Sequence, residues 1–177
     1  MTKLITILVI TFSLISCRQI KAENKVQHKS INTLEIDTSK IAILPFETSQ
    51  YWVFKNCKPA ELNSSDLKSI DTILQECIDN YNPKKEKEFN ESKKQSPNQR
   101  FEIKHFTIDL TRYKRQYVAV TNEKGEKEVW VNCFCTTFNQ DWKKVLIFVK
   151  DGGNCFFNLK INLTTGKYYE LMVNGEA

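Results

Sequence analysis

The sequence predicts an α+β fold in which one helix packs on a curled antiparallel β-meander. Three observations predict it. One apolar stripe, Leu67, Ile70, Ile73, Leu74, Cys77 and Tyr81, recurs at intervals of three and four. From Phe101 onward, short runs of alternating character follow one another. Turns rich in Gly and Asn join those runs, and strands joined this closely pair as antiparallel neighbours.

The chain begins with a segment that belongs to no fold. Lys3 supplies a positive start, and residues 4–15 are Leu, Ile, Val and Phe interrupted only by Thr6, Thr11 and Ser13. Residues 1–16 therefore read as a secretory signal. The run is too short to span a bilayer, which takes roughly 20 apolar residues. It ends in Leu14-Ile15-Ser16-Cys17, which resembles the bacterial lipobox. The resemblance implies cleavage before Cys17 and lipid attachment to its sulfur. Burial contributes ~0.8 kcal/mol per CH₂, so more than one acyl chain anchors stably. By likeness to lipoprotein sorting signals, Arg18 is not the aspartate that retains a chain at the inner membrane. No acidic run for surface export follows either. The resemblance thus implies an outer-membrane lipid anchor on the periplasmic face.

Residues 17–35 are polar and without apolar period, a lipidated tether. The formal charge of +5 falls to +4 without residues 1–16, which hold only Lys3. That balance argues solubility and against a nucleic-acid partner. Residues 36–177 have the size of a single domain with its own core.

Within that domain, 41–44 (Ile-Ala-Ile-Leu, closed by Pro45) reads as a strand. Tyr51-Trp52-Val53-Phe54 is either a second short strand or an apolar loop laid on the core. Ser64 or Ser65 caps the helix, with Asp66 in its first turn, and Asn82-Pro83 ends it. Residues 84–100 are charged and contain Pro97, so they read as a long solvated loop. Phe106, Ile108 and Leu110 alternate as a strand. Residues 113–121 form the next, and Gly125 closes the turn to 128–135. Residues 145–149 are apolar on both faces, which reads as a central strand. Asp151-Gly152-Gly153-Asn154 turns into a strand whose Cys155, Phe157, Leu159, Ile161 and Leu163 share a face. Thr164 to Lys167 turns into the last strand, with Tyr169, Leu171 and Val173 on one face.

This order resembles cystatin-like and NTF2-like folds, in which a sheet wraps one long helix. The carboxyl-terminal half, from about Phe106, is similar to small Bacteroidota lipoproteins with no assigned activity. The residues carrying that likeness are 129–135 (Val-Trp-Val-Asn-Cys-Phe-Cys), 151–154 with Phe156-Phe157, and 173–177.

Cys17 apart, five cysteines remain: Cys57, Cys77, Cys133, Cys135 and Cys155. Lipidation implies a compartment that permits disulfides, and an odd number leaves at least one thiol. Cys133 and Cys135 sit two apart on one strand face, near or beyond the ~6.8 Å Cα limit for a bridge. Cys57 and Cys77 are the candidate pair if the segment before the helix folds back on it. A thiolate metal site from Cys133 and Cys135 with Cys155 or His105 lacks the paired spacing of zinc ligands. No metal, cofactor or catalytic residue is therefore assigned. His28 lies in the tether and His105 flanks a strand, so neither is placed beside a nucleophile.

Arg112, Tyr113, Arg115 and Tyr117, with His105 upstream, form the candidate ligand surface. The same alternation also suits a solvated outer face. Asp109 and Glu128 are carboxylates with no spacing that pairs them. No nucleophile elbow, phosphate-binding glycine loop or paired-histidine metal motif occurs in the sequence. The expectation is a lipid-anchored periplasmic module that binds a protein, glycan or apolar ligand. The alternatives are an enzyme using His105 in a helix–sheet pocket, and an inhibitor or immunity-type protein.

Overall fold

The computed structural model describes residues 37–175, apart from 48, 50, 51 and 99, all within one unit, Glu35–Ala177. The signal segment, Cys17 and the tether lie outside the described residues, as do Tyr51 and residues 176–177. The elements in order are β1 (Ile41–Leu44), β2 (Lys58–Pro59), α1 (Ser64–Gln95), β3 (Lys114–Thr121), β4 (Lys127–Phe134), β5 (Phe156–Asn162) and β6 (Lys167–Val173). The strands make one open, mixed sheet in the order β1-β3-β4-β5-β6, with β2 on the same edge of β3 as β1.

From β3 to β6 the chain is the expected antiparallel meander. The β3–β4 turn closes on Gly125, whose φ of +79° favours glycine. At the head of β5, Gly152 has φ +97°, and a Cβ there would come within 2.8 Å of the Phe156 ring. β1 departs from the antiparallel expectation and runs parallel to β3, with Ile41 opposite Arg115 and Leu44 opposite Val118. All of α1 lies between them in sequence, which gives room for the crossover a parallel pair needs.

The helix starts and ends elsewhere than the sequence suggests. Asn63, not a serine, is the cap: its side chain accepts from Ser65 N and Asp66 N, while Asp66 accepts from Asn63 N. Instead of stopping at Asn82-Pro83, α1 runs through Pro83 to Gln95. Asn82 offsets the proline by docking on the chain opposite, donating to Ile108 O at 2.9 Å and accepting from Ile108 N at 2.8 Å. Beyond it, Lys and Glu are good helix formers, and Lys85–Glu88 and Lys87–Glu91 sit at helical spacing. Phe89 fastens this last stretch by packing on Phe106 at 5.4 Å. Residues 84–95, expected as loop, are thus helix.

Two more expectations fail for a common reason: side chains satisfy backbone groups that a sheet would otherwise pair. The run Phe106, Ile108, Leu110 is not a strand but lies between 3₁₀ turns at Ile103–His105 and Leu110–Arg112. Asp109 caps the second turn through Thr111, and the Asn154 amide binds the carbonyls of Lys104 and Thr107. Ile108 and Leu110 are buried all the same, so the alternation marks anchor points. Residues 145–149 are not a central strand either. Together with residues 142–144 they form a strap across the sheet, held by two buried amides. Gln116 Nε2 donates to Trp142 O (2.6 Å) and Val145 O (2.7 Å), and its Oε1 accepts from Ile147 N at 3.0 Å. Asn132 Nδ2 donates to Gln116 Oε1 and to Ile147 O.

The sheet is therefore covered on both faces. One face meets the α1 stripe: Ile70, Leu74 and Cys77 pack with Tyr117, Val131, Leu159 and Ile161. Complete burial of each such aliphatic side chain contributes roughly 1.5–3 kcal/mol. The other face carries two apolar loops. Phe46 and the loop 52–57 cover Val118, Val120 and Trp130, with Val53 and Phe54 buried against them. The strap covers Ala42, Phe134 and Phe156 with Trp142 and Ile147. Trp52-Val53-Phe54 is the loop alternative of the two expected.

Candidate functional site

The ligand surface expected from the sequence does not form. β3 is a central strand with α1 over one face of the sheet and apolar loops over the other, so most of its side chains are buried. Tyr117 is fully buried, and Tyr113 is buried with its hydroxyl donating to Asn154 O at 2.5 Å. Burial pushes the Tyr113 hydroxyl up to about 12, and it raises Tyr117 as well. Arg115 points at α1, where its Nη1 lies 2.6 Å from Asp71 Oδ1. Only Arg112 of that run is exposed, so the solvated-face alternative fails as well. His105 is half-buried at a separate cavity of about 410 Å³ beside Tyr81 and Lys85. Its Nδ1 accepts from Glu102 N, a turn-capping role.

The cysteines also pair differently. Cys57 and Cys77 are both free, because the sheet lies between them: Cys77 packs on the helix side and Cys57 under the loop face. Cys57 Sγ donates to Lys55 O at 3.2 Å. The bridge joins Cys135 to Cys155, with Cα atoms 5.1 Å apart, and closes the strap at its base. Cys155 sits in a 3₁₀ turn rather than on the expected β5 face. Cys133 stays a buried thiol beneath α1; burial raises it to about 12 and Cys77 to about 11. As expected, Cys133 and Cys135 do not bridge each other. Among the described residues no group of three His, Cys, Asp or Glu could hold a metal ion.

What the structure does build is a cleft of about 410 Å³ where the loop 52–57, the β3–β4 turn and the β5–β6 edge meet. Its chemistry comes from cross-strand register. Trp130, Lys160 and Tyr169 line up side by side across β4, β5 and β6. Next to them, Glu128 stands opposite Asn162. Trp52 forms the outer wall and is 47% exposed. Its ring is braced by Trp130 at 5.4 Å and Phe148 at 5.2 Å.

The polar floor is tightly connected. Glu128 Oε1 accepts from Asn122 Nδ2 at 3.0 Å and from Asn162 Nδ2 at 3.3 Å. Burial and the hydrogen bond to Glu128 together push the Tyr169 hydroxyl well above its usual range. Lys160 Nζ lies 5.3 Å from the Phe54 ring centre and 5.8 Å from that of Tyr169, and 2.7 Å from Glu170 Oε2. Glu170 takes φ +52° at a β-bulge, where β6 carries one residue more than β5 between paired positions. A glutamate in that region is strained, and such strain clusters at functional sites. The Cys57 thiol in the cleft wall is raised by burial and then by Glu128 and Glu123, so it is not a thiolate at neutral pH.

Of the residues weighed in the sequence as thiol, carboxylate or ligand-surface candidates, Cys57 and Glu128 reach this cleft. Asp109, considered beside Glu128, is spent on its own turn. Trp52 was visible as part of an apolar run, but Lys160, Tyr169 and Glu170 come together only through register and a bulge. No family model matches the chain, and no curated protein or solved structure is significantly similar to it.

Proposed function

We propose that the chain is a lipid-anchored binding module of the periplasm whose ligand occupies the Trp52 cleft, and that it holds this ligand without transforming it. The observation that carries the binding reading is the half-exposed Trp52, braced by two further aromatic rings over a connected polar floor. Small-molecule sites combine an apolar wall with a few fixed polar groups in this way, at volumes of ~300–1,000 Å³. Among the described residues no histidine lines the cleft, and the Cys57 thiol in its wall is held protonated.

Two features support the address. The run Leu14-Ile15-Ser16-Cys17 has the pattern of a lipoprotein signal, with the outer membrane as the implied destination. The Cys135–Cys155 bridge belongs to an oxidising compartment. The single helix on a largely antiparallel sheet supports kinship in architecture with cystatin-like or NTF2-like folds. Likeness of the carboxyl-terminal half to small Bacteroidota lipoproteins supports the same cell envelope.

Both parts are tested with one pair of variants. Cys17→Ala is expected in the soluble fraction; retention in membranes after a high-salt wash overturns the anchor. A thermal-shift screen against a metabolite library, run on wild type and Trp52→Ala, is expected to give hits that the variant loses. Hits that all survive in Trp52→Ala overturn the cleft as the site, and chemical conversion of a hit overturns binding without turnover.

A further inference from the structure

Building on the cleft as the ligand site, we infer that its ligand is a neutral saccharide, one ring stacked on Trp52 and a hydroxyl bound by Glu128, which Asn122 and Asn162 hold in place. The aromatic wall sets the first requirement. Trp130 and Phe148 brace the Trp52 ring, and it still keeps 47% of its surface open. A rigid, half-open indole favours a ligand with a flat apolar face. A pyranose has such a face in its C–H groups, and a rim of hydroxyls around it.

The floor sets the second requirement. Glu128 is oriented by amides from Asn122 and Asn162, which makes it a fixed acceptor for hydroxyl donors. Asn122 contributes its carbonyl to the backbone amides of Lys124 and Glu126, so its own position is fixed too. A purely apolar ligand would strip water from the Glu128 carboxylate and replace it with nothing. The ligand therefore brings hydrogen-bonding groups to one side and carbon to the other.

Charge sets the third. Lys55, Lys124 and Lys160 line the cleft against Glu123, Glu128 and Glu170, three of each sign. The best-buried of these cations, Lys160, is already matched to Glu170 at 2.7 Å. The lining is therefore neutral overall, and an anionic ligand gains no net attraction from it. A quaternary or primary ammonium would look for the faces of aromatic rings. Lys160 already occupies that position against Phe54 and Tyr169. What remains is an uncharged ligand that is both polyhydroxylated and flat on one face.

The test uses the full-length chain in a sugar-free detergent on an array of neutral, acidic and basic saccharides, followed by calorimetry with the soluble form of each hit. At least one neutral saccharide is expected to bind. Trp52→Ala should weaken it tenfold or more, Trp52→Phe should keep most of the affinity, and Glu128→Gln should weaken it at least several-fold. Binding confined to acidic or basic saccharides, or to none, overturns the inference. So does a neutral hit that Trp52→Ala leaves unchanged. A Trp52-dependent ligand of another class, choline for example, found in the metabolite screen would sink the saccharide while leaving the cleft as the binding site. Failure of every Trp52-dependent signal in both experiments would sink the two together.

Discussion

Replacing Gln116 with methionine tests how the second face of the sheet is held. Gln116 is fully buried in β3, and its amide makes four hydrogen bonds. Two run from Nε2 to the carbonyls of Trp142 and Val145. Two arrive at Oε1, from Asn132 Nδ2 and Ile147 N. Methionine fills a similar volume with no strong donor or acceptor, so packing is largely kept while the four bonds go. At a net ~1 kcal/mol each, the loss is about 4 kcal/mol. Three backbone groups of the strap would also be left without that partner, at ~1–3 kcal/mol each if they stay sealed from water. The strap can relieve this only by lifting off. Lifting exposes Ile147 and Trp142, now 3% and 9% exposed, and re-exposing a large apolar side chain costs roughly 1.5–3 kcal/mol. Sealing the three groups costs ~3–9 kcal/mol and re-exposing the two side chains ~3–6 kcal/mol, so the expected loss is at least ~3 kcal/mol by either route.

The assay is urea unfolding of the oxidised protein, together with amide exchange read at Ile147. Gln116→Met should lower the unfolding free energy by that amount and speed exchange at the Ile147 amide. Gln116→Glu should be worse at neutral pH, because it sets an acceptor against two carbonyls. A loss under ~1 kcal/mol with the Ile147 amide still slow would refute the idea that this amide pins the strap.

Opening the Cys135–Cys155 bridge, by reductant or by replacing both residues with alanine, should cost ~3 kcal/mol for a loop of this length, read as a lower urea midpoint; an unchanged midpoint would show the strap needs no covalent closure. Burial works to raise the Asp66 carboxyl, but the hydrogen bond from Asn63 N and the Lys127 ammonium at 2.8 Å hold it below its ordinary 3.8. Its stabilisation is thus complete above that value and lost as pH falls through the lower folded value, so Asp66→Asn should flatten the fall in urea midpoint below about pH 4; an identical acid limb in both proteins would remove Asp66 from the account. Glu170→Gly should relieve the positive φ and gain up to ~1 kcal/mol, while freeing Lys160 and weakening any ligand in the cleft; a clear loss of stability would mean the bulge geometry is unstrained.

Much of this fold was legible from periodicity alone. The α1 stripe, β3 to β6 and their turns follow from spacings of three, four and two, because those elements bury one regular face each. What was misjudged has side chains standing in for backbone partners. Pro83 argues for a helix end only if nothing compensates, and Asn82 reaching Ile108 compensates. Residues 145–149 look like a buried strand because both faces are apolar. Their carbonyls are met by Gln116 and Asn132, far away in sequence, so no local pattern could show it. Cys57 and Cys77 look like partners along the chain, yet a sheet separates them. The cleft was hidden for the same reason. Trp52, Lys160 and Tyr169 lie in three segments, and only strand register brings them together.

The position of the cleft follows from how the loop face is covered. Phe46 and the loop 52–57 shield the columns around Val118, Val120 and Trp130, and the strap shields those around Phe134 and Phe156. Neither cover extends across the outer β5–β6 edge, where Met172 is left 63% exposed. A sheet corner open to water cannot be lined with aliphatic residues without exposing them, so it carries Lys160, Tyr169 and Glu128, which have polar ends on apolar or planar bodies. The bulge then turns Glu170 toward Lys160, which neutralises that ammonium against the ring faces. Trp52 stands at the rim of the neighbouring cover, so its indole faces this polar corner rather than the core. An amphipathic site arises wherever an apolar cover ends beside a polar sheet edge. The strained bulge and the braced indole are what distinguish this corner from an ordinary unfinished edge.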